Sequence, residues 1–227
     1  MATCLSVTVV GAAQGQSSLN APLPRLLTKI LPAKKMNWSS VEDLDVAGVK
    51  LRMSPVQVRT ALKAGGFTPR ATDPDQNSWS SLVAEKLAER GVAKIDNTKV
   101  PMFTMAKGPQ GESIEVWYAA TPRGAEVTSV KYQLPTNRME KQAFISGVLG
   151  KYGMPTAKTL TTMLYCSAGE TRCVSMGNKV LPYVSAVADY SFYEVYLHNG
   201  SKYREDYKAE MANVVELRAP KRAKATF

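Results

Sequence analysis

The chain holds a single histidine, His198. Any Ser/His/Asp or Cys/His relay would therefore have to run through that one ring. Leu197-His198-Asn199-Gly200 reads as a hairpin tip, where a polar side chain serves the turn, so His198 is expected on the surface. Carboxylates lie close in sequence at Asp43/Asp45, Glu112/Glu115 and Glu205/Asp206, but none sits in a motif that fixes two carboxyls across a cleft. They read as solvated charge. The glycines form no phosphate-cradling loop: Gly65-Gly66 reads as a helix stop, and Gly147 with Gly150 falls inside a helix. Three cysteines and one histidine do not make a zinc set. No catalytic residue, cofactor or metal is expected, and the chain is not read as an enzyme.

Two of the cysteines explain each other. Cys166 and Cys173 bracket a short polar segment with Gly169 as its turn residue, at the inner ends of two strand-like runs, Leu160–Cys166 and Arg172–Met176. A hairpin would bring them across the ladder, and a disulfide is the expectation, with two free thiols as the alternative. Cys4 lies in an apolar run from Cys4 to Ala13 that has the length of a signal-peptide core but lacks a basic start. Residues 1–16 are read as a truncated signal peptide, which leaves an even pair of cysteines in the mature chain, with an ordinary buried strand or helix as the alternative.

The charge, 29 basic against 19 acidic residues and a net +10, favours anionic partners. Its distribution does not favour a nucleic-acid groove, because the cations are scattered and both termini are basic. One segment departs from this. Tyr190, Phe192, Tyr193, Tyr196, Lys202, Tyr203, Arg204 and Tyr207 interleave rings and cations as a single-strand-binding surface does. Its rings fall on both faces of a strand, and Glu194, Glu205 and Asp206 break the basic field, so burial under a helix or a protein contact is the preferred reading. No apolar run reaches the length of a membrane span.

The elements that would position these residues come in two rounds. Residues 17–45, with Pro22, Pro24 and Pro32, read as a leader or wrapping segment. In residues 46–135, Ser54-Pro55 caps a helix that Gly65-Gly66 stops. A second helix runs from about Ser78 to Arg90 on a Trp79/Leu82/Val83/Leu87 stripe. Period-two runs at 101–107, 114–120 and 127–134 then form a three-stranded meander. In residues 136–217, a helix at about 138–152 precedes the two cysteine-bearing strands and a third strand from Tyr190 to His198. A last helix from about Arg204 to Leu217 packs across the second sheet, and residues 218–227 form a basic tail. The fold class is α+β: two tandem helix-then-antiparallel-sheet units of three strands each, with a C-terminal helix.

Leu51-Arg52-Met53-Ser54, followed by Gln57-Val58 and Leu62, resembles the opening of domains in the SmpA/OmlA family of small outer-membrane-assembly lipoproteins and in the related β-lactamase-inhibitor proteins. Those domains begin with a Gly-Met-Ser/Thr turn into a helix, followed by a second helix and a three- or four-stranded antiparallel sheet. Lys151-Tyr152-Gly153-Met154-Pro155-Thr156 is similar to the phrase that ends a helix before the sheet. Arg52 stands where the family usually has glycine. The resemblance implies a periplasmic scaffold or partner-binding domain without catalysis.

Together these readings give an exported, periplasmic or secreted, non-enzymatic protein that binds another envelope protein. Trp117, Tyr193, Tyr203 and Tyr207 are the candidates for the contact. A cytosolic basic nucleic-acid-binding protein is the alternative.

Overall fold

Asp45–Val46 (β1) and Val49–Lys50 (β2) pair through a two-residue turn whose centre, Ala47 and Gly48, has φ of +51° and +80°. Positive φ at both central residues is the handedness that matches strand twist. The Asp45 carboxylate caps the turn by accepting the Gly48 N–H at 2.7 Å. Arg52 follows in the left-handed region (φ +66°), the conformation that glycine favours. Its N–H donates to the Val127 carbonyl at 2.9 Å, and its guanidinium reaches Glu42, also at 2.9 Å.

Pro55–Ala64 (α1) starts at a full capping box: Ser54 accepts from the Gln57 N–H, and Gln57 accepts from the Ser54 N–H. Val58 and Leu62 are fully buried, giving the helix its inner face. The chain continues through Thr68–Pro69 (β3), Pro74–Asn77 (β4), Trp79–Ala88 (α2) and Lys99–Pro101 (β5). Phe103–Lys107 (β6), Ser113–Thr121 (β7) and Gly124–Pro135 (β8) follow. After a 3₁₀ turn come Lys141–Tyr152 (α3), Ala157–Lys158 (β9), Thr162–Cys166 (β10), Tyr183–Ala188 (β11), Phe192–His198 (β12) and Lys202–Arg218 (α4). This computed structural model describes residues 38–70, 74–92, 94, 96–167 and 181–219.

The α+β class holds, but the two three-stranded units do not stand apart. One eight-stranded antiparallel sheet runs in the order β3-β6-β7-β8-β12-β11-β10-β9. Each of α1 and α3 is followed by four strands of this sheet, with β4, α2 and β5 inserted in the first round. The join lies between β8 and β12, whose register runs from Ser129↔His198 to Pro135↔Phe192. Two separate meanders would each leave a long inner strand with unpaired N–H and C=O groups, and pairing β8 with β12 satisfies both rows at once.

Other expectations are corrected in the second half. The ladder partner of β10 is β11, with Cys166 opposite Tyr183, whereas the strand expected at 172–176 lies outside the described residues. Asn199-Gly200 is not a hairpin tip: it joins β12 to α4. The last helix does not lie across the second sheet. Val215 of α4, with Met211 and Val214, packs on Val83 and Leu87 of α2, forming a small cluster apart from the main core.

The main core lies between one face of the sheet and α1, α3 and the β1–β2 hairpin. Ile114, Val116, Val130, Val184, Ala186 and Leu197 are completely buried there. Aromatic packing closes it at the α3 end, where Tyr152 lies 5.4 Å from Tyr165 and Trp38 meets Tyr165 edge-on at 6.4 Å. Tyr152 also donates its hydroxyl to the Asp45 carbonyl at 2.8 Å, tying the second helix round to the first hairpin.

Candidate functional site

Strand alternation sends every second side chain to the face opposite the helices. The register aligns these side chains in rows. One row runs Phe103, Trp117, Ser129, His198, Tyr183, Cys166, and the next runs Met105, Glu115, Lys131, Tyr196, Ser185, Leu164. A third runs Lys107, Ser113, Gln133, Glu194, Val187, Thr162. None of these side chains belongs to the clusters in which α1, α2, α3 or α4 pack, and of the described helices the start of α4 borders one end of the face.

Its chemistry is mixed. Trp117 is 40% exposed and Met105 36%, and the Trp117 ring lies 5.4 Å from Phe103. Tyr183, Tyr196 and His198 form a ring trio at 5.5–6.1 Å, and His198 Nδ1 accepts the Gly200 N–H at 2.8 Å. At the centre, Lys131 Nζ is 3.6 Å from Glu194, which also accepts from Gln133 at 3.1 Å. Neither sign of charge dominates these rows, as it would in a groove that tracks a phosphate backbone.

The face ends in a cavity of about 430 Å³. Trp117, Ser129, Tyr196 and His198 supply the sheet side, Asn199 the link to α4, and Tyr203 and Arg204 the first turn of α4. Gln76 closes the β4–β5 side, where its amide nitrogen donates to the Pro101 carbonyl at 2.6 Å. Asn199 is 4% exposed and donates its backbone N–H to the Thr128 carbonyl at 3.0 Å. Its side-chain nitrogen and the Tyr203 hydroxyl are buried without a hydrogen-bond partner. Burial, with Glu126 close by, pushes the Tyr203 phenol up to about 12, against the pull of Arg52 and Arg123. Glu126 itself is held by Arg123, whose Nε lies 2.7 Å away.

Trp117 and Tyr203 thus line one cavity. Tyr207 lines a neighbouring one with Tyr203, Arg123 and Glu126, and its ring packs edge-on against Trp79 at 4.9 Å. Tyr193 is not with them. It points to the helix face, 4% exposed and stacked 4.8 Å from Phe144. Cys166 is buried at the end of β10, while Cys173 lies outside the described residues. Tyr196 and Arg204 entered the sequence reading only in the ring-and-cation segment, and Asn199 entered no sequence-based site. The period-two pattern of β12 carries the signal for Tyr196, but nothing local marks Asn199 as buried.

The carboxylate pairs do not converge. Asp45 faces Lys151 at 2.7 Å, Asp206 holds Lys202 at 2.6 Å, and Glu112 folds back to accept the Gln110 N–H at 2.7 Å. Glu112 borders a groove of about 360 Å³ on the helix face, beside Tyr132 and Phe144. Burial first, and Glu112 second, push the Tyr132 phenol up to about 12. Among the described residues, no group of three or more His, Cys, Asp and Glu is placed to hold a metal ion. Among the same residues, no helix is long and apolar enough to cross a membrane.

Comparison with protein-family models, curated proteins and solved structures finds no match to this chain.

Proposed function

We propose that this is an exported, non-enzymatic protein that holds another envelope protein against the open face of its sheet. The observation that carries the reading is the face itself: rows of rings and polar groups that lie outside the clusters in which the described helices pack, with Trp117 and Met105 exposed among them. Aromatic and methionine side chains set among polar ones are the composition of protein interfaces. The mixed charge of the central row supports a protein partner over a nucleic acid, and the resemblance of the Leu51–Leu62 segment to envelope domains supports export.

The test is capture from the source envelope fraction on immobilised full-length protein, beside capture by a Trp117→Ala variant. One envelope protein retained by the first and lost by the second is the expected result. Cytosolic fractionation with no envelope partner would overturn the reading, and steeply salt-dependent binding to single strands would put the nucleic-acid alternative in its place. Mass spectrometry of the native protein gives a second check. A chain beginning near Ser17, with Cys166 and Cys173 short of two hydrogens, is expected for an exported protein.

A further inference from the structure

The two rounds also meet on the helix side of the sheet. There the groove of about 360 Å³ is lined by Val46 and Ala47 of the first hairpin, by Ala143 and Gly147 of α3, and by Tyr132 and Val195, which pair across the β8–β12 join. Gly147 keeps this space free. It lies inside α3, where glycine is a poorer helix former than alanine, and a Cβ there would meet nothing within 4 Å. Neither its φ nor its packing calls for glycine, so what the residue preserves is the volume of the groove.

The lining is apolar where Leu134, Phe144 and Val148 supply it, and polar at Glu112 and Tyr132. Glu112 is 8% exposed, and its Oε2 accepts the Gln110 N–H at 2.7 Å. Among the described residues no lysine or arginine pairs with this carboxylate, and Lys151, which also lines the groove, is held by Asp45 at 2.7 Å instead. Glu112 Oε1 and the Tyr132 hydroxyl make no hydrogen bond, yet neither is sealed from solvent as Asn199 Nδ2 and the Tyr203 hydroxyl are. Both residues line the groove, and these oxygens are acceptors it offers.

A largely buried carboxylate without a counter-charge is unfavourable, and a cation completes it. A primary ammonium carries three donors on one atom, enough to serve Glu112 Oε1 and the Tyr132 hydroxyl together. The Phe67 ring, which with Glu112 crowds Gly108, adds an aromatic neighbour that attracts a cation. Beyond this end the walls ask for an apolar body, and the volume is that of a site for one small molecule.

We propose that this groove binds a small, free organic amine, with its ammonium on Glu112 and Tyr132 and its apolar body against Phe144 and Val148. The site lies on the face opposite the one read as the protein contact and does not rest on that reading.

The experiment titrates the full chain with phenethylamine, with 2-phenylethanol and phenylacetate as its neutral and anionic counterparts, with methylamine as the ammonium without a body, and with N-acetyl-lysine methylamide as a protein side chain. Calorimetry and protein-detected NMR are the readouts. Phenethylamine should bind saturably, with Kd on the order of 0.1–1 mM for a fragment of this size, and the other four at least tenfold more weakly. Glu112→Gln keeps an acceptor for the Gln110 N–H and should weaken phenethylamine binding about tenfold or more. Gly147→Leu should fill the groove and abolish binding, while the melting temperature holds or rises because leucine is the better helix former. The comparison among ligands on the wild-type chain depends on neither variant. Absence of saturable phenethylamine binding overturns the proposal, and so does equal binding of 2-phenylethanol, or affinity that Glu112→Gln leaves unchanged. Binding of the lysine derivative in place of phenethylamine also overturns it and makes the occupant a protein side chain. Failure of envelope capture with phenethylamine binding intact would remove the protein-binding reading and leave this one standing.

Discussion

Lys151, in the last turn of α3, places its ammonium 2.7 Å from the carboxylate of Asp45, the residue that opens the β1–β2 hairpin. The two are 106 positions apart in the chain. The neighbouring Tyr152 doubles the tie by donating to the Asp45 carbonyl at 2.8 Å. Partial burial works against the charge of Asp45, yet the hydrogen bonds from Lys151 and from the Gly48 N–H outweigh it and hold the carboxyl below the usual range.

That balance predicts an acid-sensitive contribution. A folded-state pKa below the unfolded one stabilises the fold fully above the unfolded value, near pH 4, and the stabilisation is lost as the pH falls through the folded value. Asp45→Asn should cost about 1 kcal/mol at pH 7, since the pair is partly solvated. The difference from wild type should shrink as the pH falls below the unfolded value and vanish once the folded-state carboxyl is protonated. Urea denaturation of both proteins across this range measures it.

The turn beside Asp45 responds to backbone handedness. Gly48→Ala should destabilise by about 1–2 kcal/mol, because the position has φ of +80° while its neighbours leave room for the methyl group, the nearest atom being 3.7 Å away. Ala47→Gly, at φ +51°, should be neutral to stabilising by about 0.5 kcal/mol. Opposite signs at adjacent positions, read in parallel thermal melts, separate conformation from packing.

Gly108 presents the reverse case. A Cβ there would meet the Phe67 ring and the Glu112 Cδ, both at 2.8 Å, as well as Glu112 Oε2. The Glu112 tip can swing, but a buried ring cannot. Gly108→Ala should therefore cost about 1–3 kcal/mol, measured as a drop in the urea midpoint.

The single sheet makes its own prediction. Leu197 of β12 is completely buried and lies opposite Val130 of β8, at the join between the two rounds. Leu197→Ala should cost about 2–5 kcal/mol and move one cooperative transition to lower temperature. Two transitions, with one unmoved, would mean that the rounds unfold as independent domains.

Much of this architecture is legible locally. The capping box at Ser54, the stripe on α2 and the alternation from 113 to 135 place their elements within a few residues, because each signal is written in neighbouring side chains. Long-range pairing is not written that way. The alternation that marks β8 and β12 says which side chains share a face, but not that the two strands are partners. Tyr183–Ala188 is easily passed over as a strand, since Pro182 precedes it and Ser185, Ala186 and Ala188 have little of the β-branched bulk that marks one. The site follows the same division. Trp117 and the Tyr196 row follow from period two, whereas the buried Asn199 depends on how α4 leaves the sheet, a property of tertiary packing alone.

The join between β8 and β12 has a consequence for a chain carrying only one round. Such a half would end its sheet on an uncovered strand, and antiparallel pairing makes a second copy of that strand its natural complement. Two halves in one chain replace a concentration-dependent encounter with a tethered one, at a local concentration set by the intervening segment. The internal arrangement of this protein is that of a dimer whose association no longer depends on how much protein is present.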